Sequence, residues 1–303
     1  MLQTIKKVSF ILFATVFYFC ALTDQANASC DKVGGVITYN GAAANPVNDD
    51  GVAGDQCSDV PSAYKIKFFK IGLCESDPGA GAALGGTPDF SSCAFIYDGV
   101  GLDHEIEVPG RKSFPTGSGI SIPTGEYGYL VALFSNKLGL KNTVTFDAAV
   151  TGKGGASGTT CWTSSGITSF MNEVIVTPHG TTLGATIKTI TCGNAGTENP
   201  VYNYEIFTHF GGAADACTDF DTDGEFANGS DSSASIGGGG DTFSVRLIQN
   251  DGTYADRCTN SEQMLWVINS TKYKVTPTST YSLEFKLTDS VSIDFDNTTG
   301  NIM

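Results

Sequence analysis

From Ser29 onward the chain carries almost no helical periodicity. Its apolar residues recur at every second position in short runs, and the runs end in Gly, Asn, Asp and Pro. Alternation with period two is what a pleated strand needs to bury one face. Tyr64-Lys65-Ile66-Lys67-Phe68 shows it most cleanly, with Tyr64, Ile66 and Phe68 on the core side. Phe69 breaks the pattern, which predicts a bulge or a strand end buried on both sides. Strands are expected at 36–39, 64–71, 93–97, 104–108, 120–133, where the chain turns at Pro-x-Gly into a long strand, and 138–146. In the second half they are expected at 173–177, 183–191, 202–210, 243–249, 264–274 and 281–295, the last as a hairpin across Thr288-Asp289-Ser290. The fold class is therefore all-β, a β-sandwich of one elaborated domain or two packed ones.

The start of the chain reads differently. Lys6 and Lys7 precede an apolar run from Val8 to about Leu22, and Ala26-Asn27-Ala28 offers small residues for cleavage. That order is a secretory signal peptide over residues 1–28, and the run is short for a membrane span. Nine cysteines, less Cys20, leave Cys30, Cys57, Cys74, Cys93, Cys161, Cys192, Cys217 and Cys258. None lies close enough to another for a zinc ribbon or a redox C-x-x-C motif. In an exported chain an even set is a disulfide framework, and the sequential pairing 30–57, 74–93, 161–192 and 217–258 closes short loops. Sequence alone leaves other connectivities open. The sandwich is thus expected to be disulfide-stapled, and the protein to be secreted or held at a cell surface. No later segment is long and apolar enough to predict a transmembrane helix.

Charged residues make up only 16% of the chain, and the net charge is −15. Removal of residues 1–28 takes away two lysines and one aspartate, leaving −16. Such acidity argues against nucleic acid and anionic membranes as partners, since both demand basic patches. Gly/Ser/Thr-rich sequence near 151–160 divides the chain into a β-sandwich domain at 29–150 and a second β-rich domain, or a continuation of the same sandwich, at 151–303. Pro123-Thr124-x-x-Tyr127 and Pro277-Thr278-x-x-Tyr281 hint at duplication.

Ile122-Pro123-Thr124-Gly125-Glu126-Tyr127, followed by Leu130-Val131-Ala132-Leu133, turns at Pro-x-Gly and enters a long strand. This P-x-G-x-Y run resembles the turn-into-strand of prealbumin-like β-sandwich modules on exported surface proteins, over about residues 60–146. The resemblance implies a sandwich and brings no activity or site residues with it.

Four kinds of chemistry compete. Asp219, Asp221, Asp223 and Glu225 alternate around Gly224, as in a calcium loop; the competing reading is a solvated acidic loop. Calcium is the one cofactor the sequence suggests. Trp162, Tyr127 and Tyr129 are candidate ligand-stacking residues, with Tyr202, Tyr204 and Trp266 behind them; core packing is the alternative for at least half of these. Asp103, Glu105 and Glu107 offer the carboxylate pair that a hydrolase needs, or simply a solvated strand face. His104, His179 and His209 lie far apart without metal-ligand spacing, and His104 reads as a surface strand residue.

The expected function is a non-enzymatic cell-surface or extracellular structural or adhesive protein. It would contact other copies of itself or a partner surface, with the C-terminal strands available to extend a neighbour's sheet. The alternative is a secreted carbohydrate- or small-ligand-binding module, and a carboxylate-dependent hydrolase comes third.

Overall fold

The structure, a computed structural model, describes residues 29–39, 56–81, 85–107, 122–164, 166–169, 175–176, 182–183, 190–207, 231–236, 241–255, 261–279, 290–295 and 301–302. Residues 1–28, the Asp219–Glu225 loop, His179, His209, Cys217, Cys258 and the 282–287 half of the expected C-terminal hairpin lie outside them.

Every described element is a strand. β1 (Lys32–Val33), β2 (Val36–Ile37) and β3 (Gln56–Asp59) are short, whereas β4 (Ala63–Cys74) and β5 (Cys93–Glu107) are long. β6 (Gly125–Ser135), β7 (Lys137–Lys141), β8 (Thr143–Gly152), β9 (Ser157–Thr163) and β10 (Gly166–Ser169) come next. β11 (Ile175–Val176), β12 (Thr182–Leu183), β13 (Ile190–Gly193) and β14 (Asn203–Ile206) lead to β15 (Asp231–Ile236), β16 (Asp241–Gln249) and β17 (Ser261–Val275). β18 (Val291–Asp294) and β19 (Asn301–Ile302) finish the chain. The fold is all-β with several sheets, an arrangement compatible with the expected sandwich.

The large sheet has nine strands and is organised by β4. β5 runs antiparallel along one side of β4 from Cys74↔Cys93 to Ala63↔Glu107. On the other side β6 and β7 lie end to end. The expected irregularity at Phe69 is there: both neighbours shift register between Phe68 and Lys70. β5 is one strand where two were expected. Gly101, at φ +117°, carries the chain through a conformation that L side chains avoid, and a Cβ there would lie 2.5 Å from Lys67 Cε.

Beyond β6 the sheet continues through β17, β16 and β15, while beyond β7 it continues through β14 and the parallel strand β10. Asn136, fully buried, sits where these two branches part. Its side-chain amide donates to the carbonyls of Phe207 and Ser261 and to Ser261 Oγ, at 2.9, 2.9 and 3.1 Å. Its backbone N–H donates to Glu262, and its carbonyl accepts from Phe207. One side chain thus satisfies the backbone groups that the fork would leave orphaned.

At its centre the large sheet is buried on both faces. Leu130, Ala132, Phe134, Met264, Trp266 and Ile268 point to one side with Tyr64, Ile66 and Phe68. Val131, Leu133, Leu265 and Val267 point to the other with Ile248 and Tyr254. The loop closed by Cys74–Cys93 covers this second face: Tyr254 N–H donates to Gly86 at 2.8 Å, and Phe90 and Phe95 pack beside it.

A second core forms around a six-stranded sheet, in which β1-β2-β8-β9-β13 lie in that order and β19, the sixth strand, pairs with β8. Val144, Phe146 and Val150 meet Ile293, Phe295 and Ile302 there, so both ends of the described chain pack into one cluster. β18 pairs with β3, and β19 with β8, within the same chain. The expected strand 138–146 is in fact two. It breaks at buried Asn142, where the chain leaves the large sheet for the small one, a corner of the kind that strands make when they switch sheets. Asn142 N–H donates to Thr163 Oγ1 at 3.1 Å, Thr163 N–H returns a bond to the Asn142 carbonyl at 3.0 Å, and the Thr163 hydroxyl donates to Val201 at 2.8 Å.

Three of the expected disulfides are formed: Cys30–Cys57, Cys74–Cys93 and Cys161–Cys192. The second and third join residues directly opposite one another on paired strands. Three disulfides fit an oxidising, extracellular environment. Among the described residues no helix is long and apolar enough to cross a membrane.

Candidate functional site

Two places gather chemistry-bearing side chains: the outward face of β4, β5, β7 and β14, and a recess between the two sheets.

The outward face follows from alternation and register. Lys65 and Lys67 on β4 point away from the core that takes Ile66 and Phe68. Lys137 and Lys141 on β7 point away from Leu138. Glu105 pairs with Lys65, Lys65 with Gly139, and Gly139 with Tyr204, so one row crosses four strands. Gly139 is the low point of that row. A Cβ there would lie 3.0 Å from Lys65 Cβ and Tyr204 Cε1 and 3.1 Å from Tyr202 Cδ1. The absence of a side chain lets two tyrosine rings settle over the sheet, 6.3 Å apart between centroids.

Lysines surround the rings. Lys137 Nζ stands 4.7 Å from the Tyr204 centroid, Lys141 Nζ 5.1 Å and Lys65 Nζ 5.9 Å from that of Tyr202. These are cation–π distances. Lys65 also pairs with Asp103, and Lys141 with Glu105, both at 3.4 Å. Tyr202 donates its hydroxyl to Glu105. Burial, and then the Glu105 carboxylate beside it, push the Tyr202 hydroxyl well above the ordinary phenol range. Partial burial pulls Lys137 below the ordinary lysine range. With Lys67 and Lys70, five of the 17 Lys and Arg of an acidic chain stand on β4 and β7.

The recess has a volume of about 70 Å³ and lies at the Asn142 crossing. Its aliphatic wall includes Leu140, Val144, Ile190 and Ile293, and Trp162, Thr163, Asn203 and Ser292 supply the polar lining. Trp162 is half-buried, with the far end of its ring against Gly193. Asn203 is directly opposite Leu140, so both side chains leave the same face of the sheet. Asn203 Oδ1 is buried and has no hydrogen-bond partner among the described residues. Two residues on, Glu205 points to the same side, opposite Leu138. Burial pushes its carboxyl up to about 7, and its charge adds to burial in raising the Tyr64 hydroxyl, which donates to the Ser290 carbonyl.

The sequence-derived candidates divide accordingly. Trp162 lines the recess. Tyr127 is buried in the core, and its hydroxyl donates to Pro123 at 3.0 Å, closing the Pro-x-Gly turn. Tyr129 is half-buried and packs on the second face of the large sheet. Trp266 is wedged between Phe134 and Phe243, with centroids 4.7 and 5.0 Å away. Asp103 and Glu105 are engaged by lysines, and Glu107 shares their outward face. His104 departs from expectation: it is only 3% exposed and lies edge-on to Phe68. It stands opposite Ile66 and so falls on the core side of β5. Asn203, Glu205 and the lysines of β7 escaped the sequence reading. The concentration of lysine on β4 and β7 is visible in the sequence; their alignment with Tyr202 and Tyr204 is not.

No family model, curated protein or solved structure matches this chain.

Proposed function

We propose that this chain is an exported, non-enzymatic protein of the cell surface or extracellular space that makes structural or adhesive contacts, with other copies of itself or with a partner surface. The observation that carries this reading is the outward face on which Tyr202 and Tyr204 lie over Gly139 among Lys65, Lys137 and Lys141. Tyrosine is among the residues in which contact surfaces are rich, and here two of them lie side by side on an outward face. The disulfides suit the exposed life of such a protein, and the Tyr127–Pro123 turn is in keeping with a prealbumin-like surface module. The test is light scattering and negative-stain imaging of the oxidised chain, in calcium and in chelator, with adhesion of coated beads to cells. Ordered oligomers or adhesion that weakens in Tyr204→Ala and Lys137→Ala supports the reading. A monomer that adheres to nothing overturns it.

The recess favours a second reading, a secreted binding module for a small ligand or carbohydrate. It predicts saturable binding that Trp162→Ala weakens.

A further inference from the structure

We infer that Glu205 and Tyr64 form a proton-controlled latch between the large sheet and β18: with Glu205 protonated Tyr64 holds Ser290, and with Glu205 ionised the carboxylate draws the Tyr64 hydroxyl away. Two pairings set the geometry. Tyr64 stands opposite Leu140, and Leu140 opposite Asn203, so Glu205, two residues further along β14, leaves the same face as Tyr64. That face is inward. Tyr64 is 2% exposed, and its hydroxyl donates to the backbone carbonyl of Ser290, itself 1% exposed. Ser290 leads directly into β18, which pairs with β3 in a separate sheet. This hydrogen bond spans 226 residues of sequence and ties the large sheet to the β3–β18 pair.

The competition is for one proton, since a tyrosine has a single O–H to donate. As a neutral acid, Glu205 leaves it to the Ser290 carbonyl. As a carboxylate, Glu205 is the stronger acceptor, and its charge already reaches the Tyr64 hydroxyl. The surrounding strands offer the carboxylate no better answer. Lys137 and Lys141 on β7, and Lys65 and Lys67 on β4, take the outward face. β10, opposite Glu205 through Thr168, has no ionisable residue. β18 brings Asp294, an acid. His104, the inward ionisable group of β5, is separated from β14 by both β4 and β7. Burial alone raises the Glu205 carboxyl, to about 7. The latched state therefore holds the proton more tightly than the released one, in which the hydrated carboxyl returns to the ordinary 4.5. Latching is complete below that value and weakens as pH rises through about 7. Val291, Ser292 and Ile293 follow Ser290 and line the recess, so release loosens one of its walls.

Hydrogen–deuterium exchange of the disulfide-bonded chain, corrected for the intrinsic effect of pH, reads the latch through the amides of Val291–Asp294. They should exchange ahead of those in β6 and β17, because β18 opens while the centre of the large sheet stays folded. Between pH 6 and 8 their protection should fall by about tenfold, the factor that follows from a carboxyl at about 7 when latched and 4.5 when released. Glu205→Gln, which cannot ionise, should keep β18 equally protected across that range. Tyr64→Phe, which keeps the ring and loses the hydroxyl, should lower the protection already at pH 6 and flatten its response to pH. Three results overturn the inference. They are protection of β18 that ignores pH, exchange of β18 only together with β6 and β17, and a full pH response in Tyr64→Phe, which assigns the effect to burial of the carboxyl without a latch.

Discussion

Replacing Glu205 by glutamine should make the protein more stable at alkaline pH and leave it unchanged in acid. Glu205 lies on the inner face of β14, and burial raises its carboxyl from the ordinary 4.5 to about 7. The folded chain therefore holds this proton more tightly than the unfolded chain does. For a carboxyl whose folded value is raised, the associated stability is complete below about pH 4.5. It is lost as pH rises to about 7 and stays lost above that, because the folded state must then carry a buried charge that the unfolded state hydrates freely. At about 1.4 kcal/mol per pH unit the gap is worth on the order of 3 kcal/mol. Glu205 keeps some contact with solvent, which makes that figure an upper bound. The assay is urea unfolding of the disulfide-intact chain at closely spaced pH values from 4.5 to 8.5, for wild type and Glu205→Gln. Taking the difference between the two cancels every other titrating group. The expected difference is near zero at pH 4.5, grows between pH 5 and 7, and levels off with the glutamine variant ahead. A difference that does not change with pH, or one that grows toward acid, refutes the reasoning.

Asn136→Ala should cost about 2–5 kcal/mol in urea unfolding, because it orphans the carbonyls of Phe207 and Ser261 at the fork of the large sheet; a loss under about 0.5 kcal/mol would show that the fork does not depend on this side chain. Gly139→Ala should displace the Tyr202 and Tyr204 rings by a few tenths of an ångström, seen as a change in near-ultraviolet circular dichroism with far-ultraviolet signal intact. Opening Cys161–Cys192 by a double serine substitution should cost roughly 2–4 kcal/mol, read as a lower denaturant midpoint. Peptide mapping of the unreduced protein should recover Cys30–Cys57, Cys74–Cys93 and Cys161–Cys192, together with Cys217–Cys258 as the fourth bridge in the sequential pattern.

Alternation made the strongest strands legible because each has one face in a core: Tyr64, Ile66 and Phe68 in β4 alternate with lysines that stay outside. It located β6 and β17 through their apolar density, although their two-sided burial came from something that alternation cannot report. Leu130, Ala132 and Phe134 face one core and Val131 and Leu133 another, so an uninterrupted apolar run says only that neither face is wet. The misplaced boundaries have local causes. Asp98-Gly99-Val100-Gly101 looks like a turn, yet it is a bulge within one strand: the register passes over Gly99 to Gly101 and the pairing of β5 with β4 resumes at Leu102. Asn142 looks like an ordinary polar strand residue, yet its exchange of bonds with Thr163 is what sends the chain into the second sheet.

The site was harder to read, because which face a residue takes is decided by its neighbour's register and not by its own polarity. In Asn203-Tyr204-Glu205-Ile206 an alternation rule would put Tyr204 inside and Glu205 in water. β7 decides otherwise. Its Lys137-Leu138-Gly139-Leu140-Lys141 can only turn its leucines inward, and antiparallel pairing then brings Asn203 and Glu205 to the leucine side and Tyr204 to the glycine side. The same pairing creates both places at once: it lays the tyrosines on the lysine face and turns Asn203 and Glu205 inward, with Asn203 among the residues that line the recess. Shifting β14 by one residue against β7 would exchange the two sets and destroy both. The tyrosine–lysine face and the recess are therefore the two sides of one short strand, and a substitution that alters its register, unlike one that removes a single side chain, should disturb both together.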